Sequence, residues 1–364
     1  GASPVYDRPW APSPAPVPLV PFDVVPTIAP IDALRRMIGA PDLCSKRWIT
    51  TQYDQTVMGD TVAGPGGDAA IIRIHGTTRA LALTTDCTPR YCEADPRLGG
   101  RQAVAEAWRN LTAVGARPLA LTDCLNFGSP ERPRIMGQFK GCLEGMAEAC
   151  RALAFPVVSG NVSFYNETDG RGIPPTPVIG GLGLIDRLEH RAGIAYREGM
   201  HLVLVGETFG WLGCSLYLRE ALGRREGAPP PVDLELERRN GDFVRTQIES
   251  GRVTVCHDLS DGGLLVALAE MALASRIGAD LRLPEDCLTA ESWLFGEDQG
   301  RYLLAVESEV LDALLTAAAV AGVLARSVGR TGGSTLTLDG ADAICLGELA
   351  VLHEATLPAA MTVS

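Results

Sequence analysis

Polar side chains suited to chemistry gather at points where apolar runs of this sequence stop. In residues 121–128, Leu-Thr-Asp-Cys-Leu-Asn-Phe-Gly, a carboxylate (Asp123) and an amide (Asn126) emerge directly after a buried strand. They read either as turn residues that satisfy local backbone groups or as ligands at a strand end. In residues 157–167, Val-Val-Ser-Gly-Asn-Val-Ser-Phe-Tyr-Asn-Glu, a second strand breaks at Gly160, whose missing side chain permits close backbone approach to a phosphate. Asn161 offers an amide oxygen of the kind Mg²⁺ prefers, and the Ser163 hydroxyl can bond a substrate phosphate or amide. Two such strand ends together favour a nucleotide site over two unrelated turns.

Two further segments are less specific. Residues 257–264, His-Asp-Leu-Ser-Asp-Gly-Gly-Leu, lead into an apolar helix that Ser260 is expected to cap, and free N–H groups at a helix start attract anions. His257 and Asp258 do not read as a metal pair, because no other histidine lies at ligand spacing. Residues 294–301, Leu-Phe-Gly-Glu-Asp-Gln-Gly-Arg, gather carboxylates, an amide and a cation in a turn before a strand. Arginine dominates the basic residues so strongly that Lys46 and Lys140 are the only lysines. A lysine kept in such a background suits a site that needs a compact ammonium, such as a phosphate contact, although chance explains it as well.

These segments need a scaffold, and 364 residues suffice for two domains that each bury a core. Residues 1–30 are proline-rich and read as an extended linker on or between domains, beginning with a Gly-Ala-Ser remnant. Short helices follow, one opening at residues 30–32 and one capped by Ser45 and running through Trp48 to Tyr53. Apolar runs predict strands over 69–74, 80–84, 119–121, 155–158 and 178–185, with helices over 99–114 and, from the spacing of Met136, Phe139, Leu143, Met146, Cys150 and Leu153, over a long stretch between them. A charged stretch around 186–199 places a boundary near residue 188, giving domains at 31–188 and 189–364. The second domain is expected to hold strands at 201–205, 254–256 and 302–306, helices at 211–222, 234–248, 263–274 and 310–321, and short strands up to Cys345. The class is α+β, a mixed α/β arrangement without clean alternation of units.

Composition narrows the function. The net charge of −12 and the lack of a basic run exclude the electrostatic footprint of a nucleic-acid binder. No apolar stretch has the length to cross a bilayer and no secretory leader is present, so a cytoplasmic protein without a membrane partner is expected. Ten scattered cysteines without a CxxC pair read as reduced core residues.

Taken together, the motifs resemble the synthetase subunit of formylglycinamide ribonucleotide amidotransferase (phosphoribosylformylglycinamidine synthase), in the superfamily of ATP-dependent aminoimidazole-ribonucleotide-synthetase-like proteins. The resemblance runs over nearly the whole chain. It includes Ser45-Lys46-Arg47-Trp48, Gln52-Tyr53-Asp54, Thr84-Thr85-Asp86-Cys87, the 99–110 helix, residues 122–128, 157–167, 175–178, 257–264 and 296–301. It implies a subunit built by internal duplication, each half pairing an N-terminal mixed-sheet nucleotide-binding domain with a C-terminal mixed α/β domain, and the two halves packing as a pseudo-dimer. This chain resembles the C-terminal half.

The reaction so implied phosphorylates the glycinamide oxygen of formylglycinamide ribonucleotide with ATP and displaces the phosphate with glutamine-derived ammonia. Implied partners are the N-terminal half, a glutaminase subunit and a small accessory subunit, and implied cofactors are ATP and Mg²⁺. Carried over residue by residue, Asp123 and Gly160 match ATP contacts, Asn161 a Mg²⁺ ligand, Ser163 a substrate contact and Lys46 a nucleotide-side lysine. No catalytic residue is expected here, since the family's catalytic histidines belong to the other half. Asp86, Arg109 and Asn110 occupy positions pseudo-equivalent to metal and substrate residues of that half, and the amide at Asn110 suggests a degenerate site. Within the superfamily a homodimeric synthetase or kinase is the rival reading, and outside enzymes a non-catalytic nucleotide-binding scaffold.

Overall fold

The computed structural model describes residues 5–20, 28–285 and 289–362. Two mixed sheets, each backed by helices, bear out the α+β expectation. The chain opens with helices α1 (Pro30–Met37) and α2 (Arg47–Thr50), then strands β1 (Thr61–Ala63), β2 (Ala70–Arg73) and β3 (Ala80–Asp86). Helices α3 (Pro89–Ala94) and α4 (Pro96–Ala113), β4 (Arg117–Asn126), α5 (Pro133–Ala152), β5 (Val157–Ser163), a two-residue ribbon of β6 (Glu167–Thr168) and β7 (Arg171–Gly172), and β8 (Thr176–Ile185) complete the first layer. Its sheet has the order β1-β2-β3-β8-β4-β5, with only β4 and β5 parallel.

The second layer comprises β9 (His201–Val205), α6 (Leu234–Glu249), β10 (Cys256–Asp258), α7 (Gly263–Ser275), β11 (Ala279–Leu281), α8 (Ala290–Phe295), β12 (Tyr302–Val306), α9 (Ser308–Val320), β13 (Ala325–Thr331), β14 (Thr335–Leu338), β15 (Asp342–Cys345) and α10 (Leu346–Met361). Its sheet order is β10-β12-β9-β13-β11-β14-β15. Strand β12 is buried at every position, as a central strand covered on both faces must be.

Helix α4 joins the layers. Asp95 caps it by accepting from the Leu98 N–H at 3.0 Å, and Pro96 at its first position has no N–H to satisfy. Nearly every residue from Gln102 to Ala113 is buried, because the helix meets β3, β8 and α5 on one side and α6 and β10 on the other. At the α6 contact Trp108 lies over Gly241, where a Cβ would fall 2.5 Å from the indole Cη2. Next to it in sequence, the fully buried Arg109 donates to Glu237 of α6 at 2.9 and 3.1 Å, to Asp258 of β10 at 2.9 Å and to Gln299 at 3.1 Å. Burial opposes its charge, but Glu237 and Asp258 outweigh that and raise its pKa.

The structure corrects several expectations. Helix α1 packs its Ile31, Leu34 and Met37, with Ile38 just beyond, into the core of the second sheet, although its sequence position places it in the first domain. Helix α2 has four residues, with the Ser45 hydroxyl accepting from the Arg47 N–H, and does not reach Tyr53. Residues 217–221 form a short π-helical turn, and only part of the expected 211–222 helix exists. Helix α10 has no counterpart among the expected elements. Of the cysteines, Cys124 and Cys345 are exposed and so are not core residues, while Cys287 lies outside the described residues.

Residues 5–20 form neither helix nor strand and run as an extended strap across both layers. Ala11 donates its N–H to Pro133 O, Val17 O accepts from Gly227 N, and the ammonium of Lys140 on α5 sits over the Trp10 ring at 4.3 Å. The rest of the expected linker that lies outside the described residues is 1–4 and 21–27.

Replacing Arg109 by Met keeps the bulk and strands two buried carboxylates, so unfolding in urea is expected to show a loss of about 3–5 kcal/mol. Adding Glu237→Gln and Asp258→Asn to that variant should restore part of the loss; an unchanged midpoint in the single variant would show that Arg109 does not join the layers.

Candidate functional site

The Asp123 and Asn161 segments are not strand ends. Strand β4 continues through Asn126 and β5 through Ser163, and the two run in parallel register with Asp123 opposite Gly160, Cys124 opposite Asn161 and Asn126 opposite Ser163. The polar run that read as a break is extended backbone at the edge of the sheet. Strand β5 has no second neighbour among the described strands, and six of its seven residues are exposed, including Val158 at 71% and Val162 at 48%.

Alternation along the pair separates the candidate residues. Asp123 and Gly160 lie on the helix-backed face, where burial and the Asp123 carboxylate push the Cys150 thiol of α5 up to about 11. Asn161 and Ser163 lie on the opposite face, beside Thr122, whose hydroxyl donates to the Ser159 Oγ at 3.2 Å. A ligand that touches all four must therefore straddle the free edge of β5.

Gly160 makes this feasible. A Cβ there would fall 2.6 Å from the Asp123 Cγ and closer still to Oδ1, so the glycine leaves the carboxylate open toward the edge. Partial burial raises the pKa of Asp123. Neither Asp123 nor Asn161 has a side-chain hydrogen-bond partner among the described residues, which leaves the carboxylate and the amide available. Ser163 is held by Asn166, 3.1 Å from its Nδ2 and 3.3 Å from its Oδ1.

Lys46 stands elsewhere. Its ammonium donates to the carbonyls of Pro41, Asp42 and Cys44 at 2.6, 3.2 and 2.7 Å, closing the turn before α2. It lines a cleft of about 680 Å³ with Gly66, His257, Glu270 and His353, and none of Asp123, Gly160, Asn161 and Ser163 lines that cleft. In this structure the ammonium of Lys46 closes its own loop, apart from the other four candidate residues.

Asp86, Arg109 and Asn110 do come close together, but as a closed network. Asp86 accepts from Asn110 at 2.7 Å and from Thr84 at 2.9 Å, while Arg109 is spent on Glu237 and Asp258. Burial first, and then the charge of Asp258, push Asp86 up to about 7.

Ser260 does not cap α7. The residue at that position is Gly262, and the anion at this helix start is the protein's own Glu297, whose Oε1 accepts from Gly262 N and Leu216 N at 2.8 Å each. Its Oε2 takes Arg90 at 2.8 Å and the Tyr91 hydroxyl, and Arg90 also grips Asp261 at 2.6 and 2.9 Å. The weak 294–301 signal hid this hub because its partners come from α3, the start of α7 and residue 216.

His257 likewise serves as an ion-pair centre. Its Nδ1 lies 2.5 Å from Asp68 and its Nε2 3.1 Å from Glu270. Asp68, His257 and Asp258 are close enough to hold a cation, yet both ring nitrogens already face carboxylates. Burial disfavours the imidazolium, but Asp68 and Glu270 outweigh it and raise the pKa well above the ordinary 6.5.

Two mixed sheets of this topology with a bridging buried helix define a class. Residues 66–185 match the N-terminal domain of AIR synthase related proteins and residues 197–339 the C-terminal domain, and the chain belongs to that family. Within it, the chain is 57% identical over 357 residues to the phosphoribosylformylglycinamidine synthase subunit PurL of Rhodopseudomonas palustris, covering 98% of this chain and 48% of the relative. It is 56% identical over 362 residues to the same subunit of Parvibaculum lavamentivorans, covering 99% and 49%. The chain spans about half the length of the curated relatives it matches.

Among solved structures, T. maritima PurL complexed with FGAR shares the fold at a TM-score of 0.69 and 19% identity, over 89% of this chain and 54% of that one. The tt0281 structure from Thermus thermophilus does so at 0.60 and 22%, over 82% and 97%. No described helix is long and apolar enough to cross a membrane.

His257 provides a pH test. A raised folded pKa gives stability that is complete below 6.5 and is lost as pH rises through the folded value. The stability difference between the parent and His257→Gln, from urea unfolding, should therefore shrink on the alkaline side; a difference that grows with pH would reverse the assignment.

Proposed function

We propose that this chain is the C-terminal, nucleotide-binding half of a phosphoribosylformylglycinamidine synthase, the ATP-dependent C–N ligase that converts formylglycinamide ribonucleotide to its amidine in purine biosynthesis. The observation that carries the reading is the free edge of β5, where Asp123 and Asn161 stand without partners on a chain 57% identical to half of a PurL subunit. A homodimeric synthetase or a pure scaffold draws no comparable support.

In this reading Asp123 and the open backbone at Gly160 hold the nucleotide, and Ser163 contacts the ribonucleotide. Asn161 presents a hard oxygen donor that fits Mg²⁺, and the ion when bound would neutralise phosphate charge. The chain's own part is positioning: phosphoryl transfer needs few covalent participants once charge and alignment are supplied. The remaining metal ligands and the catalytic groups come from the N-terminal half, which packs against the exposed face and edge of the sheet around Leu83, Val158 and Val162. A glutaminase subunit and a small accessory subunit supply and deliver ammonia. A soluble, cytoplasmic setting follows from the reaction.

Calorimetric titration of Mg²⁺-ATP into the complex of this chain with its N-terminal half tests the site. Asp123→Ala should weaken binding roughly tenfold or more, as loss of a charge-assisted hydrogen bond does, and Gly160→Ala should weaken it similarly by turning the carboxylate aside. Unchanged affinity in Asp123→Ala would remove the assignment. The isolated chain given ammonia, ATP and formylglycinamide ribonucleotide should form no amidine, and measurable turnover would show that it does not depend on a second half.

A further inference from the structure

Ser163 closes β5, and the turn that follows is unusually constrained. Tyr165 takes a left-handed φ of 63°, a costly conformation for a residue with a Cβ. The turn is stitched to the end of β4: Phe127 N donates to Ser163 O at 3.0 Å, Tyr165 N to Gly128 O at 3.2 Å and Asn166 N to Phe127 O at 3.2 Å. At its centre lies the Asn166 amide. Its Nδ2 is 2.9 Å from Ser163 O and 3.0 Å from Phe127 O, while the Ser163 Oγ is 3.1 Å from Nδ2 and 3.3 Å from Oδ1.

The proton inventory of this group is closed. An amide nitrogen carries two hydrogens, and the two carbonyls, which can only accept, are its nearest partners. Turning the amide over would set Oδ1 against two carbonyl oxygens, so the network itself fixes the orientation. With both N–H groups spent, the contact left to Ser163 is to donate its hydroxyl hydrogen to Asn166 Oδ1. The Oγ then keeps a lone pair for a further donor.

We propose that Asn166 is a positioning residue that sets the polarity of Ser163, so that the Ser163 hydroxyl recognises a carboxamide N–H of the ligand as an acceptor and does not donate to a phosphate. This rests on the proposed substrate contact at Ser163 and specifies what that contact reads. A hydroxyl whose hydrogen is already committed has none to offer a phosphate oxygen, whereas an amide N–H finds an acceptor held in place by two strand ends.

The test uses the full-length synthetase that contains this chain, with steady-state KM and kcat for formylglycinamide ribonucleotide and for two analogues, one N-methylated at the formamide and one lacking the 5′-phosphate. Ser163→Ala is expected to lower the preference for the N–H substrate over the N-methyl analogue by roughly tenfold, the scale of one lost hydrogen bond to a positioned partner. The preference for the phosphorylated substrate should stay as it was. Asn166→Ala should lower the N–H preference in the same way. A purely structural role for Asn166 would move stability and leave these ratios alone, which overturns the proposal. So does a Ser163→Ala variant that loses the phosphate preference in place of the N–H preference. If Ser163→Ala changes neither ratio, the contact itself is wrong, while the nucleotide reading still stands or falls with Asp123→Ala.

Discussion

The two layers of this chain depend on a single buried cation. Arg109 sits on a helix whose one side belongs to the first sheet, and its guanidinium is spent on Glu237, Asp258 and Gln299 of the second layer. Burying those carboxylates without it would cost several kcal/mol each, so the relative placement of the layers is set by a hydrogen-bond pattern as well as by apolar packing. Trp108 against Gly241 adds shape to the same contact. Around it a second hub, Glu297 with Arg90 and Tyr91, fixes the start of α7, and a third, His257 between Asp68 and Glu270, ties the loop before β2 to the second sheet. The polar interior therefore serves as a fastening, and the groups open to a ligand lie on the rim.

That division explains why the candidate site looks spare. Asp123, Asn161 and Ser163 lie on the last two strands of a sheet whose outer edge is unpaired, and the glycine between them keeps the carboxylate accessible. Such an arrangement can hold and orient a charged ligand.

The legibility of the sequence varied with the range of the interaction. Residues 201–205 and 302–306 read as strands because continuous apolar runs mark buried ones, and the 3–4 spacing from Met136 onward marked α5. Residues 122–126 and 159–163 read as strand ends because strands at a wet sheet edge carry the polar residues that usually signal turns. The role of Glu297 was beyond local reading because its partners come from three distant elements. Helix α1 illustrates the same limit, since its apolar face is plain in the sequence but nothing local says which core it enters.

The open edge of β5 also bears on how this polypeptide behaves when it is made alone. It presents a row of unpaired N–H and C=O groups flanked by three exposed valines, with neither a proline nor a lysine between Val157 and Ser163 to discourage pairing. Natural sheets blunt such an edge or cover it. Left bare, such an edge is a template on which a second chain can add its own strand.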